Sequence, residues 1–431
     1  MMRATLQAFM RSGGFFGTPR GLCPILQAAY IKAQAVWSLD FEGSPTTQQL
    51  TFHQRKFPSV PMFQVLNFDG SVDNPNDEPE VPKETLIKMM EAMLRQETLD
   101  SILMEAQRQG RISFYLTSMG EEASIVGTTA ALHGVDNLFL QYREAAALTY
   151  RGYTIQEIVA QCMGNIENDL KGRQMPIHYG SQKLNVHMVG SALATQIPHA
   201  AGAGYAFRLE GEHEKDPNKK RIAAVFFGDG ASSEGDFHAG VNFASTVGSH
   251  TLFLARNNGF AISTPTSSQY AGDGIFARGL AYGIPTTRVD GHDILAVYRA
   301  VQQAREIICT TNQPVLVEAI LYRASHHSSS DDSTCYRPRE DMDEFARDFA
   351  PIPRFERYLV KKGLWSPEQT QRLTQQVWKE TLDELHRQEK LPNWPVTSMH
   401  DDVYKEITPE LQRAQKELEE HYERNKHAYK V

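Results

Sequence analysis

Two short segments carry residue types that can hold a divalent ion and a diphosphate together. Gly228-Asp229-Gly230 follows the run Arg-Ile-Ala-Ala-Val-Phe-Phe at 221–227, apolar after its first residue. Glycines there permit a tight turn and close backbone approach. A helix expected to begin near Gly235 favours phosphate at its N-terminus. Asp229 offers a hard oxygen. Twenty-nine residues later Asn258 stands in Arg256-Asn257-Asn258-Gly259-Phe260, directly after a second apolar run at 251–255. Two neighbouring parallel strands ending side by side would each deliver an oxygen. Carboxylate, amide and backbone carbonyl, completed by phosphate oxygens, make the octahedral shell that Mg2+ prefers. Arg256 is placed to clamp the phosphates. Either segment alone is a common turn; the spacing of the pair is what points to this chemistry.

Gly228-x-Gly230-x-x-Ser233 also partly resembles a dinucleotide fingerprint. There the third glycine is a serine, and Asp229 would face the pyrophosphate without a metal to neutralise it. No Gly-x-x-x-x-Gly-Lys-Ser/Thr loop occurs, so a nucleotide triphosphatase is not supported.

These segments need strands to present them. Helical spacing of Leu86, Met89, Met90, Met93, Leu94, Leu99, Ile102 and Leu103 predicts a helix over 84–109. Further helices are expected at 155–163, 235–247 and 293–310, and strands at 137–142, 221–227, 251–255 and 314–322. Alternating strand and helix imply an α/β fold with a doubly wound parallel sheet. Ligands of such a sheet lie at the carboxyl ends of its strands. Residues 44–83, rich in Pro, Asn and Asp, read as an extended arm, and the core domain is expected over 84–350. Beyond 351 the chain reads as a C-terminal helical region to 431, solvated and packed on the main domain or a partner.

The chain has 431 residues, with 44 Lys+Arg against 52 Asp+Glu, a net charge of −8. Mild acidity disfavours nucleic acid as a partner, and no apolar stretch is long enough to span a membrane. Four scattered cysteines, Cys23, Cys162, Cys309 and Cys335, show no zinc spacing and suggest reduced thiols. Residues 1–39 carry Arg3, Arg11, Arg20 and Lys32 and no acid before Asp40. Basic, acid-poor composition of that kind predicts an organelle transit peptide, with its boundary near 43.

Taken together, the Gly-Asp-Gly…Asn-Asn pair resembles the signature of thiamine diphosphate enzymes. More closely, residues 80–430 resemble the α subunit of the E1 component of 2-oxo acid dehydrogenase complexes. The resemblance rests on Gln141-Tyr142-Arg143-Glu144, on Lys171-Gly172-Arg173-Gln174-Met175-Pro176 and on Leu193-Ala194-Thr195-Gln196-Ile197-Pro198. It extends through Arg256–Thr264 and Tyr322–Ser333. Arg256, His326 and the Asp331-Asp332 pair match the branched-chain 2-oxo acid type; the alternative is the pyruvate type.

The resemblance implies a thiamine diphosphate-binding fold. It implies Mg2+ held by Asp229, the Asn258 side chain and the Phe260 carbonyl, where the family commonly has Tyr. It places Tyr142, Arg143, Ser191, Gly230, Ala231, Arg256 and His327 on the cofactor. It implies a potassium site formed by oxygens of Gly190, Ala192, Thr195 and Gln196, with the family's serine hydroxyl lost at Gly190. His327 is the expected catalytic residue, an imidazole able to exchange protons near pH 7. Ser328 matches a regulatory phosphosite; a second family phosphosite falls on Pro338 and is absent.

The implied reaction is oxidative decarboxylation of a branched-chain 2-oxo acid in the mitochondrial matrix. The acyl group then passes to the lipoyl group of an E2 acyltransferase. Generating the reactive cofactor requires a glutamate from a pyrimidine-binding domain, for which 84–350 leaves no room. A separate E1 β subunit, in an α2β2 heterotetramer, is therefore expected, together with a regulatory kinase and phosphatase.

Overall fold

The computed structural model describes residues 49–50 and 59–429, apart from the side chain of Asp348. The expected presequence over 1–43 lies outside the described residues. In chain order the elements begin with α1 (Lys83–Arg108), α2 (Glu122–Ala131), β1 (Asn137–Phe139), α3 (Ala145–Arg151), α4 (Ile155–Met163), β2 (Val186–His187) and α5 (Gln196–Glu210). They continue with β3 (Ala223–Gly228), α6 (Gly235–Val247), β4 (Thr251–Asn257), the hairpin strands β5 (Phe260–Ala261) and β6 (Thr264–Pro265), α7 (Thr266–Gln269) and α8 (Phe276–Ala281). The last are β7 (Thr286–Asp290), α9 (Ile294–Thr311), β8 (Val315–Ile320), α10 (Arg339–Glu344), α11 (Pro351–Lys361), α12 (Pro367–Gln388) and α13 (Pro409–Asn425).

Six strands form one parallel sheet in the order β2-β1-β3-β4-β8-β7. Its centre is apolar on both faces because helices cover both. Ala224 and Phe226 of β3 join Leu252 and Leu254 of β4 on the face covered by α1, α2 and α9. Ala223, Val225 and Phe227 join Phe253 and Ala255 on the other, with Phe237, Val241 and Ala244 of α6. Period-two alternation of side chains produces this division. The expected α/β class and parallel sheet are therefore present.

Boundaries differ where polar residues decide them. The strand expected over 137–142 stops at Phe139, because Gln141 and Glu144 are consumed by hydrogen bonds of the site. The edge strand β7 lacked an apolar run to mark it. Its Arg288 is buried and pairs with the buried Glu318 at 2.9 Å, an internal partner rather than a hydrophobic one.

The described part of the arm, from Ser59, is docked on the sheet edge and the helices. Phe63 pairs with Val289 at the outer edge of β7, through Phe63 N–H to the Arg288 carbonyl and Asp290 N–H to the Phe63 carbonyl, both 2.9 Å. Asp293 caps α9 by accepting from the backbone N–H of Leu295 and Ala296 at 3.1 Å. Its other oxygen accepts from Val65 and Leu66 at 2.6 Å, so one carboxylate ties the arm to a helix start. Arg354 of α11 pairs with Asp290 at 2.7 Å and reaches the Leu66 carbonyl.

The helix α11 belongs to the main core: Ile352, Phe355, Tyr358 and Leu359 are buried among its residues. No residue of α13 is buried. Phe355 is 1% exposed. Phe355→Ala is expected to cost about 3–5 kcal/mol, read as a lowered urea midpoint at unchanged slope. A shift below about 1 kcal/mol would mean that α11 is a detachable appendage.

Candidate active site

The last residues of β3 and β4 stand opposite one another, with Gly228 paired to Arg256. Parallel pairing brings the 229 and 258 turns out at the same end of the sheet. A Cβ placed on Gly230 would lie 2.8 Å from the Ala261 Cβ, so glycine is what lets the two turns touch. Asp229 is 2% exposed. Burial pushes its carboxyl pKa up, against a hydrogen bond from Gln269 Nε2 to Oδ2 at 2.6 Å. Asn258 is buried; its Oδ1 accepts from the Phe260 N–H at 3.2 Å. A buried carboxylate whose charge lacks a cationic partner at hydrogen-bond distance among the described residues, an amide oxygen and a nearby backbone carbonyl are a hard donor set that suits Mg2+.

Behind these residues lies a buried ion cluster. Arg256, 2% exposed, pairs with Glu121 and, at 2.5 Å, with Glu144; neither carboxylate is exposed. Arg256 thus meets the site as a counter-ion between two carboxylates. Glu144 also accepts from the Gln141 N–H at 2.7 Å, and Gln141 Oε1 accepts from the Gly228 N–H at 3.0 Å. Glu121 accepts from Asn258 Nδ2 at 2.8 Å. Burial opposes ionisation of both carboxylates. In Glu121 the charges of Arg256 and Arg143 outweigh it and hold the pKa low; in Glu144 burial, aided by Glu121 repulsion, raises it.

His327 sits beside Arg143 and Tyr142. Arg143 Nη2 donates to His327 Nδ1 at 3.0 Å and to its carbonyl at 2.6 Å, while Nη1 donates to the Thr117 carbonyl at 2.7 Å. The Tyr142 ring lies edge-on, 6.0 Å from the imidazole. A guanidinium only donates, so Nδ1 is the acceptor and the imidazole proton resides on Nε2. Burial, then the Arg143 and Arg323 charges, pull the His327 pKa down to about 3. Proton exchange near pH 7, expected from the sequence, is therefore not a property of the ligand-free site: burial, with Arg143 from 184 residues earlier and Arg323 from four residues earlier, holds this ring neutral. The loop is pinned from below by Asp331, which accepts from the His327 N–H at 2.7 Å and the Tyr336 hydroxyl at 2.6 Å.

Ser191 lies elsewhere on the rim, its Oγ 2.8 Å from His178 Nε2. His178 Nδ1 lies 3.0 Å from the Pro176 carbonyl. In the 190–196 loop, Thr195 Oγ1 donates to the Ala192 carbonyl at 2.9 Å. A Cβ placed on Gly190 would lie 3.5 Å from that same hydroxyl, and Gln196 Nε2 donates to the Phe226 carbonyl at 3.0 Å. The structure thus gathers Asp229, Gly230, Ala231, Asn258 and Phe260 at one strand end. Tyr142, Arg143 and His327 form a second group, joined to the first through Arg256 and Glu121. Sequence reading missed Glu121, His178, Gln269 and Arg323 as partners. Of these Arg323 lies inside the quoted Tyr322–Ser333 motif and His178 two residues after another, and none has a spacing of its own.

Comparison with known proteins follows this geometry. A family model described as dehydrogenase E1 component matches residues 90–396. The chain is 45% identical over 372 residues to the mitochondrial 2-oxoisovalerate dehydrogenase subunit alpha of Caenorhabditis elegans, covering 86% of this chain and 85% of that one. The human protein of the same name is 45% identical over 362 residues, 84% of this chain and 80% of its own. The Arabidopsis thaliana subunit alpha 1 is 43% identical over 369 residues, 85% and 77%.

The His327 geometry sets a pH dependence. Its folded-state pKa lies below the ordinary value of 6.5. As pH falls the unfolded chain protonates first, so His327 withdraws stability between about pH 6.5 and pH 3 and adds no dependence above that window. Side-chain NMR of the cofactor-free protein should show no His327 protonation from pH 8 to pH 5. Arg143→Met should raise its midpoint. A wild-type midpoint near 6.5 would contradict the arrangement.

Proposed function

The chain belongs to the dehydrogenase E1 component family, and from that premise we propose that it works as the α subunit of a branched-chain 2-oxo acid dehydrogenase, in the mitochondrial matrix. Its reaction is oxidative decarboxylation of 3-methyl-2-oxobutanoate and related acids from valine, leucine and isoleucine. The identity to 2-oxoisovalerate dehydrogenase α subunits over most of both chains supports the branched-chain rather than the pyruvate reading. The observation that carries the site is the pairing of Gly228 with Arg256, which sets the Asp229 and Asn258 turns side by side.

Thiamine diphosphate, on which the family depends, supplies a nucleophilic carbon and an electron sink for loss of carbon dioxide. In this reading Asp229, Asn258 Oδ1 and the Phe260 carbonyl hold Mg2+. Gly230 and Ala231 let the turn backbone approach the diphosphate, and Tyr142, Arg143, Arg256 and Ser191 line it. Gly190, Ala192, Thr195 and Gln196 hold K+ through their loop oxygens. His327 keeps its proton on Nε2 and offers it to the reacting oxygen of the substrate. Its neutrality at pH 7 makes it a hydrogen-bond donor before any proton moves, and Arg143 holds the ring in that tautomer.

Among the described residues one doubly wound sheet accounts for the fold, so the pyrimidine side of the cofactor comes from the β subunit. An α2β2 assembly would pass its acyl group to a lipoyl-bearing E2 acyltransferase. Ser328 follows His327 directly. A kinase placing phosphate there would add roughly −2 charge beside the diphosphate and unseat the Asp331 tie; a phosphatase would restore it.

Reconstitution of this chain with its β partner tests the reading. The complex should favour 3-methyl-2-oxobutanoate over pyruvate in kcat/KM by about tenfold or more. Asp229→Ala should abolish the calorimetric heat of thiamine diphosphate with Mg2+, and His327→Ala should lower turnover about 10^2–10^4-fold while binding persists. Equal use of pyruvate, or unaltered binding in Asp229→Ala, would overturn it.

A further inference from the structure

The buried Glu121 has no place in the roles above. It precedes α2, and its backbone is held by its neighbour. Gly120 has φ +90°, and a Cβ there would come 2.3 Å from the Tyr322 carbonyl. The Met119 carbonyl accepts from the Ala324 N–H at 2.9 Å. The turn is thereby wedged against the strand end that leads into the His327 loop. The Glu121 side chain is 0% exposed and reaches across to the metal turn, 137 residues later in sequence.

An asparagine amide has two orientations with nearly the same shape. Only the one with Oδ1 toward the cation makes it a metal ligand. Glu121 gives its Oε2 to the Arg256 guanidinium, and so meets Asn258 as a carboxylate. An ionised carboxylate accepts hydrogen bonds and cannot donate. Its Oε1 faces the Asn258 side chain at 2.8 Å, so the nitrogen must occupy that side. The reversed amide would set oxygen against oxygen in a buried site. Oδ1 is left on the other side, where it accepts from the Phe260 N–H at 3.2 Å. The second oxygen of Glu121 is held by Arg256, which Glu144 holds in turn.

We infer that Glu121 is a positioning residue that fixes the Asn258 amide in its metal-ligating orientation. The inference rests on the reading of Asn258 as an Mg2+ ligand and adds the group that makes it one. Glu121 touches neither metal nor substrate, and acts through Asn258. Outer-shell partners that orient ligands commonly matter about 10–100-fold in metal affinity.

The test uses the reconstituted α2β2 complex with thiamine diphosphate. Mn2+ is titrated in place of Mg2+ and the bound ion is followed by electron paramagnetic resonance. Glu121→Gln, whose amide can turn either way, should raise the Mn2+ Kd about 10–100-fold. In an Asn258→Ala background the same change should add less than about twofold, because the residue it acts through is gone. Equal losses in both backgrounds would assign Glu121 a merely structural role and overturn the inference, as would no loss in either. Should Glu121→Gln fail to assemble, Glu121→Asp keeps the charge for Arg256 but retracts it from Asn258, and is read the same way. If Asn258→Ala alone leaves Mn2+ affinity intact while wild type binds, the metal-site reading itself falls.

Discussion

One guanidinium between two carboxylates holds the site together. Arg256, Glu121 and Glu144 come from the end of β4, the start of α2 and the start of α3, and all three are buried. Breaking a buried pair by removing one partner commonly costs about 3–5 kcal/mol, because the remaining charge is stranded. The three segments are therefore constrained to meet in one arrangement. Each then presents a different functional neighbour: Asn258 from the β4 turn, Tyr142 and Arg143 from the turn before α3, and Thr117 from the irregular stretch before α2. The net stabilisation is modest, since desolvating the charges offsets most of their attraction. What the cluster contributes is a fixed geometry.

The sheet supplies the other half of that geometry. Parallel strands in register bring consecutive turns out at the same end, and apolar cover on both faces leaves those turns no other place to go. The strands that carry the 229 and 258 turns, β3 and β4, each hold an uninterrupted apolar run, and this is why they could be read from the sequence. Helices α4 and α6 were legible to their ends because a capping Thr154 and left-handed Gly164 and Gly248 mark them. The short β2 and polar β7 were not, since their places are set by pairing with β1 and β8 rather than by their own composition. The helix α5 went unread for a related reason: His199, Gly202, Gly204 and Tyr205 blur its apolar face, and its start had been read as a metal loop.

In the site, the residues with motif spacing were legible and their partners were not. Asp229 and Asn258 announce themselves because each follows an apolar run. Glu121 is one acid among many until folding sets it against Asn258. His327 is legible through the family resemblance of its loop, but its protonation state depends on Arg143, 184 residues earlier. A pKa is a property of neighbours, and neighbours are a tertiary fact.

The same neighbours redistribute the work expected of the arginines. Arg256 is surrounded by carboxylates and Arg143 spends both terminal nitrogens on Thr117 and His327. Each would meet a diphosphate as a guanidinium already partnered by the protein. In the proposed site, neutralising such a ligand then falls mainly on the cation assigned to Asp229 and Asn258 and on the backbone of the 228–231 turn. The raised pKa of Asp229 fits that division. Its carboxylate is uncomfortable when buried alone, and a divalent ion relieves it in the act of fixing the anion. On the proposed reading metal and diphosphate would therefore favour each other's binding, with the protein's own cations already partnered.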